Sequence, residues 1–99
     1  MAFALTSNNI RLEGSTLHAQ CRDRAGGWHD SSLDLNEFIS NNNGVLDDNG
    51  SDFFGTCSGC KMDGSKLVAI LKQTDGSEKE STIDLNQFVG NEDGKLVWL

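Results

Sequence analysis

Leu33-Asp34-Leu35-Asn36-Glu37-Phe38-Ile39-Ser40-Asn41-Asn42-Asn43-Gly44-Val45-Leu46 returns, shifted by 50 positions, as Ile83-Asp84-Leu85-Asn86-Gln87-Phe88-Val89-Gly90-Asn91-Glu92-Asp93-Gly94-Lys95-Leu96. The same shift carries Phe3, Thr6, Gly14, Ser15, Leu17, Ala19, Gly26 and Ser31 onto Phe53, Thr56, Gly64, Ser65, Leu67, Ala69, Gly76 and Ser81, without a gap. A self-match of this length is a duplication, with repeats 1–50 and 51–99. Two copies exclude a long solenoid. A unit of about 50 residues lies near the lower limit at which a core supports itself. The copies are therefore expected to share one core in a single domain, 1–99, by exchanging strands. The repeated Leu, Ile and Phe positions read first as core packing.

Within each copy the local signals are β. Leu17, Ala19 and Cys21 alternate with His18, Gln20 and Arg22, the period of a half-buried strand. Its counterpart, Leu67–Leu71, is a nearly continuous apolar run of strand length. Ile10 and Leu12 alternate with Arg11 and Glu13, and Asn9 and Gly14 are expected to bound that strand. Arg24-Ala25-Gly26-Gly27 and Thr74-Asp75-Gly76-Ser77 read as hairpin turns, where glycine supplies positive φ. Asn36 and Asn86 suit the N-cap of one short helical turn each. Asn41–Gly44 and Asn91–Gly94 read as tight turns into a second hairpin per copy, with return strands Val45–Asp47 and Lys95–Trp98.

Composition narrows the function. The 99 residues carry 8 basic and 15 acidic side chains, a net charge of −7, with 11 glycines and no proline. An acidic surface without a basic cluster makes nucleic acid and anionic membranes poor partners. No apolar run is long enough for a transmembrane helix. Met1-Ala2-Phe3-Ala4-Leu5 lacks the basic and long apolar regions of a signal peptide, so a cytoplasmic rather than secreted location is expected. Three cysteines, Cys21, Cys57 and Cys60, leave at least one unpaired and are not the framework of a small secreted domain.

The repeat, with Leu/Ile-Asp-Leu-Asn-x-Phe-Ile/Val-x-Asn-x-Asn/Asp-Gly-x-Leu in each copy, Phe-x-x-Thr near each repeat start and the Gly26-Gly27 turn, resembles the cyanovirin-N homologue family over essentially the whole chain. The resemblance implies an all-β fold of two pseudo-symmetric halves, each with a three-stranded sheet and a β-hairpin, plus short helical turns. It places half A at 1–37 with 88–99 and half B at 38–87. It also implies metal-free binding, with no cofactor, of Manα1-2Man termini on high-mannose oligosaccharides or glycoproteins. The family's two disulfides cannot form here, because the partner positions of Cys21 and Cys57 hold Ser7 and Leu71; in this the chain is similar to disulfide-free fungal members. The family founder's proline-containing hinge is replaced by Asp48-Asn49-Gly50-Ser51, which turns back easily and implies a monomer.

Carried over position by position, the half A site would comprise Ala2, Leu5, Thr6, Arg22, Asp23, Arg24, Asn91, Glu92 and Asp93. Thr6, Asn91 and Asp93 agree with the family; Ala2 and Leu5 stand where it has polar residues, and Arg22 and Arg24 offer donors instead. The half B site would comprise Ser40, Asn41, Asn43, Ser51, Asp52, Gly55, Thr56, Lys72, Gln73 and Thr74. There Asn41, Ser51, Thr56 and Lys72 agree, while Asn43, Gly55 and Thr74 replace an Asp, a Glu and an Arg. Carboxylates and amides bridge neighbouring hydroxyls, and charged partners make the stronger bonds. Half A, which keeps Asp93, is the favoured site. The unremarkable reading is that both Asn-x-x-Gly turns only close hairpins.

Other motifs read as bland. Cys57-Ser58-Gly59-Cys60 opens a predicted strand, not the helix that would activate a thioredoxin-type thiol, and lacks further zinc ligands. Asp47-Asp48-Asn49-Gly50 fails the EF-hand spacing, with Val45 and Thr56 at liganding positions. Trp28 and Trp98 are expected to pack the shared core. No catalytic constellation stands out. The alternative to a lectin is an interaction module that kept the fold and lost the sugar.

Overall fold

Alternating burial organises each copy into a three-stranded antiparallel meander followed by a two-stranded hairpin. In the computed structural model, which describes residues 3–99, the first copy gives β1 (Ser7–Glu13), β2 (Thr16–Arg22) and β3 (Trp28–Asp34), then β4 (Ser40–Asn42) and β5 (Val45–Asp47). The second gives β6 (Cys57–Asp63), β7 (Lys66–Lys72) and β8 (Glu78–Asp84), then β9 (Val89–Glu92) and β10 (Lys95–Trp98). Short 3₁₀ turns at Phe3–Thr6, Leu35–Glu37, Phe53–Thr56 and Leu85–Gln87 link them. The molecule is an ellipsoid of 50 × 21 × 17 Å.

The core records the duplication. Its fourteen buried apolar residues form seven pairs related by the shift of 50: Phe3/Phe53, Leu17/Leu67, Ala19/Ala69, Cys21/Leu71, Leu35/Leu85, Ile39/Val89 and Leu46/Leu96. They form one cluster, and no polar or charged side chain is buried among the described residues. The central strands β2 and β7 turn only one face inward. Leu67, Ala69 and Leu71 are buried, whereas Ile70 of the same apolar run is exposed.

Each hairpin packs on the other copy's sheet. β9–β10 lies against β3 and the Phe3–Thr6 turn, and β4–β5 against β8 and the Phe53–Thr56 turn. Hydroxyls fix the crossing: Ser31 Oγ accepts from Leu96 N and Ser81 Oγ from Leu46 N, both at 3.0 Å. Sheet β1–β3 with hairpin β9–β10 is half A; sheet β6–β8 with β4–β5 is half B.

Three expectations need correction. Asn36 and Asn86 do not cap the turns that contain them. Asp34 and Asp84 do so, accepting from Asn36 N and Asn86 N at 3.0 Å. The asparagine side chains cap the other copy's first turn instead: Asn86 Oδ1 accepts from Ala4 N at 3.1 Å and Asn36 Oδ1 from Phe54 N at 3.0 Å. Asn9 does not bound β1. It sits inside the strand with φ 53°, where the register with β2 slips by one residue. Such a β-bulge places one residue outside the ladder, and asparagine tolerates the left-handed conformation. Trp28 does not pack the core. It lies at the start of β3, opposite Arg22, and is 51% exposed. Trp98 does pack inward, stacked between Phe38 and Phe88 with centroids 4.9 and 5.5 Å away.

The cysteines are free, with Ser7 opposite Cys21 and Leu71 opposite Cys57 in the ladders. Stability therefore rests on packing, without the roughly 2–4 kcal/mol that a bridge contributes. Thermal unfolding with and without reducing agent should give midpoints within about 2 °C, and a fall of more than about 5 °C on reduction would contradict this. Asn86→Ala should cost about 1–2 kcal/mol in urea unfolding, because it leaves the Ala4 N–H without its cap.

Candidate functional site

The hairpin turns that end β4 and β9 are two-residue turns with positive φ at both central positions: Asn43 (50°) and Gly44 (89°), Asp93 (51°) and Gly94 (95°). This is the turn whose twist matches a β-ribbon, and Asn-Gly and Asp-Gly are its favoured pairs. One residue before each strand pair closes, an asparagine ties the turn to the rest of its half. Asn91 Oδ1 accepts from Gly94 N at 2.9 Å, and its Nδ2 donates to Thr6 Oγ1 and Arg22 O, each at 2.9 Å, with a longer contact to Thr6 O. Asn41 does the same with Gly44 N, Thr56 Oγ1 and Lys72 O at 2.7–2.8 Å. The retained Asn and Thr positions are thus scaffolding. Their hydrogen bonds are spent on holding the turn.

Around the half A turn lies a cleft of about 440 Å³ lined by Thr6, Arg22, Asp23, Arg24, Gly90, Asn91, Glu92, Asp93, Val97 and Leu99. Seven of the residues expected for half A are among them. Leu5, 81% exposed on its turn, is not among the lining residues, and Ala2 lies outside the described residues. Gly90, Val97 and Leu99 were not anticipated. Val97 and Leu99 add apolar lining to the cleft, and Leu99 Cδ2 lies only 3.1 Å from where a Gly90 side chain would begin. The available signal was the comparison of copies, since Ser40, Asp47 and Asn49 stand at these places in the first repeat.

The polar wall is partly engaged and partly open. Asp93 Oδ1 accepts from Arg24 N at 2.9 Å, and its second oxygen has no hydrogen bond among the described residues. The Arg22 and Arg24 guanidiniums form no ion pair or hydrogen bond among those residues. Asp23 is fully engaged: Oδ1 accepts from Ala25 N and Gly27 N at 2.9 and 2.8 Å, and Oδ2 meets His29 Nε2 at 2.5 Å. The His29 contact, then the Gly27 amide, hold the Asp23 carboxyl below its ordinary value of 3.8. A depressed carboxyl pKa stabilises the fold above the ordinary carboxylate range, and that contribution is lost as pH falls through the folded value.

The half B residues are distributed differently. Asn41, Asn43, Thr56, Lys72, Gln73 and Thr74 come together, but Asn43 Oδ1 is taken by Thr74 N and Thr74 Oγ1 at 2.9 and 3.1 Å. Gln73 Nε2 donates to Asn43 O at 3.3 Å. Ser40 packs against Gly50, and Asp52 turns to Asn36, whose Nδ2 donates to it at 3.3 Å. Ser51 and Gly55 are exposed. The Cys60 thiol is held in its unreactive protonated form: burial, then the neighbouring Cys57, pushes it up to about 11.

The family model of the CVNH domain matches residues 3–97. The chain belongs to this family. The solved CVNH of Gibberella zeae is similar to it at 36% identity and TM-score 0.89, over 98% of this chain and 96% of that one. The Tuber borchii CVNH structure is 36% identical with TM-score 0.90 over the full length of both. A cyanovirin-N homolog from Tuber borchii is 46% identical over 48 residues, so the match spans 46% of this chain and about half, 47%, of that protein. Microvirin, solved as a mannobiose complex, is 28% identical with TM-score 0.86, over 99% of this chain and 98% of that one. The CVNH fold accounts for the two halves and their crossed hairpins.

Because Asn91 carries four of the bonds that hold the half A turn, Asn91→Ala should lower unfolding stability by about 1–3 kcal/mol. Equilibrium urea denaturation checks this, and Asn41→Ala should behave alike.

Proposed function

We propose that this CVNH chain is a non-enzymatic, carbohydrate-binding lectin that takes Manα1-2Man termini of high-mannose glycans in the half A cleft, weakly and without metal. The proposal includes the boundaries 1–37 with 88–99 for half A and 38–87 for half B, a monomeric state, and one working site. One observation carries the choice of half: the cleft around Asp93 keeps uncommitted polar groups, the second Asp93 oxygen and the Arg22 and Arg24 guanidiniums. A carboxylate oxygen accepts from sugar hydroxyls in charge-assisted bonds, roughly twice as strong as neutral ones. Val97 and Leu99 offer apolar surface to a pyranose face. The mannobiose complex of microvirin supports the ligand class. Desolvating several polar groups on an open surface keeps a single site weak, on the order of millimolar. One site binds a glycan but does not cross-link two.

A second reading, an interaction module that has lost sugar binding, is favoured by exposed apolar side chains: Leu5 in half A, Phe54 and Ile70 in half B. A partner retained in pulldowns and not displaced by mannose would support it.

Calorimetric titration with Manα1-2Man should show binding that EDTA leaves unchanged. Asp93→Ala should weaken it about tenfold or more, the worth of a charged hydrogen bond, while Asn43→Ala leaves it intact. Both substitutions strain a left-handed position equally, so their difference reports the site. Loss of binding in Asn43→Ala but not in Asp93→Ala would contradict the assignment.

A further inference from the structure

The two Asn/Asp-Gly turns have the same backbone but different neighbours. A side chain begun at Gly94 would lie 2.7 Å from His29 Cδ2 and 3.5 Å from Asp23 Cβ. Begun at Gly44, it would lie 2.8 Å from Gln73 Cγ and 3.3 Å from Lys79 Cβ. Gln73 and Lys79 are the shift-of-50 counterparts of Asp23 and His29. In half B, the longer Gln73 runs across the turn, donates to Asn43 O and accepts from Ser77 Oγ at 2.7 Å. That side chain lies along the half B turn and is bonded to it. In half A, Asp23 is one methylene shorter and is drawn back into its own loop by Ala25 N, Gly27 N and His29. The imidazole, held by its hydrogen bond to Asp23, stands against Gly94, so the 23–29 hairpin packs on the 91–94 turn beside the cleft. Arg24 N to Asp93 Oδ1 is the second tie.

We infer that Asp23 and His29 are positioning residues that hold the half A cleft open at a fixed width, and that Gln73 with Lys79 covers its counterpart. The identities at 23/73 and 29/79 thus select which half takes sugar. This rests on the lectin reading of half A. The groups facing Asp23 are His29 on β3, Arg22 and Arg24 on its own loop, and Glu92 and Asp93 on the opposing turn. His29 is its direct side-chain partner, so the Asp23 carboxyl reports the contact.

The test uses two single variants and two swaps of the full chain. His29→Phe keeps a ring against Gly94 and removes the bond to Asp23; His29→Gln retains an amide donor. Without sugar, His29→Phe should let the Asp23 carboxyl titrate higher, back toward 3.8, by side-chain NMR. It should also speed Arg24 amide exchange at least about fivefold, with little change in melting temperature, since His29 is exposed. With Manα1-2Man, affinity should fall about tenfold in His29→Phe and recover in His29→Gln. Asp23→Gln with His29→Lys should abolish half A binding. Gln73→Asp with Lys79→His should create sugar-dependent amide shifts at Asn41–Gly44. Unchanged Asp23 titration and Arg24 exchange in His29→Phe overturn the inference, as does unchanged affinity when those two readouts move. If both readouts move in His29→Phe while the wild-type chain binds no sugar, the positioning contact stands and the lectin reading falls, so the two failures are separate.

Discussion

Neither copy of the duplicated unit can cover its own sheet, and the rest of the structure follows from that constraint. Seven apolar positions per copy are too few to close a core, so each hairpin lies over the other copy's meander and fourteen side chains make one cluster. The polar contacts that fix the crossing are also reciprocal. Asn36 and Asn86 cap the first turn of the opposite copy, and Ser31 and Ser81 accept from the opposite hairpin. Without disulfides, these contacts and the packing they orient keep the two copies in register.

The crossing also builds the site. Half A's cleft brings the Phe3–Thr6 turn and the β2–β3 loop from the first copy against the β9–β10 turn from the second. Asn91 bonds Thr6 and Arg22 across sequence separations of 85 and 69 residues. A duplicated chain that exchanges hairpins thus generates two candidate sites on one scaffold. Each is then free to diverge at its rim while its scaffold stays the same, as Asp23/Gln73 and Asp93/Asn43 have done.

Much of this was legible in the sequence because the repeat reports the core twice. Strand positions and the two hairpin turns follow from spacing; the half A cluster Thr6, Arg22–Arg24 and Asn91–Asp93 follows only from the family resemblance. What was not legible depended on long-range geometry. The capping role of Asn36 and Asn86 reads as local, since asparagine before a short turn is a good N-cap, but Asp34 and Asp84 already occupy that role. Asn9 reads as a strand boundary because asparagine favours turns, and a bulge satisfies the same preference within a strand. Trp28 reads as core by its size, yet strand pairing places it beside Arg22 at the rim. Val97 and Leu99 carry no local signal at all; only the fold brings them to the lining of the cleft.

On the proposed function, sugar enters the cleft made by the crossing of the two copies in half A. Mapping backbone amide shifts during titration with Manα1-2Man tests it most directly. The claim predicts saturable shifts at Thr6, Arg22–Arg24 and Asn91–Asp93, with Asn41–Gly44 and Thr56 unmoved. Shifts confined to Asn41–Thr56, or none anywhere at millimolar sugar, would contradict it.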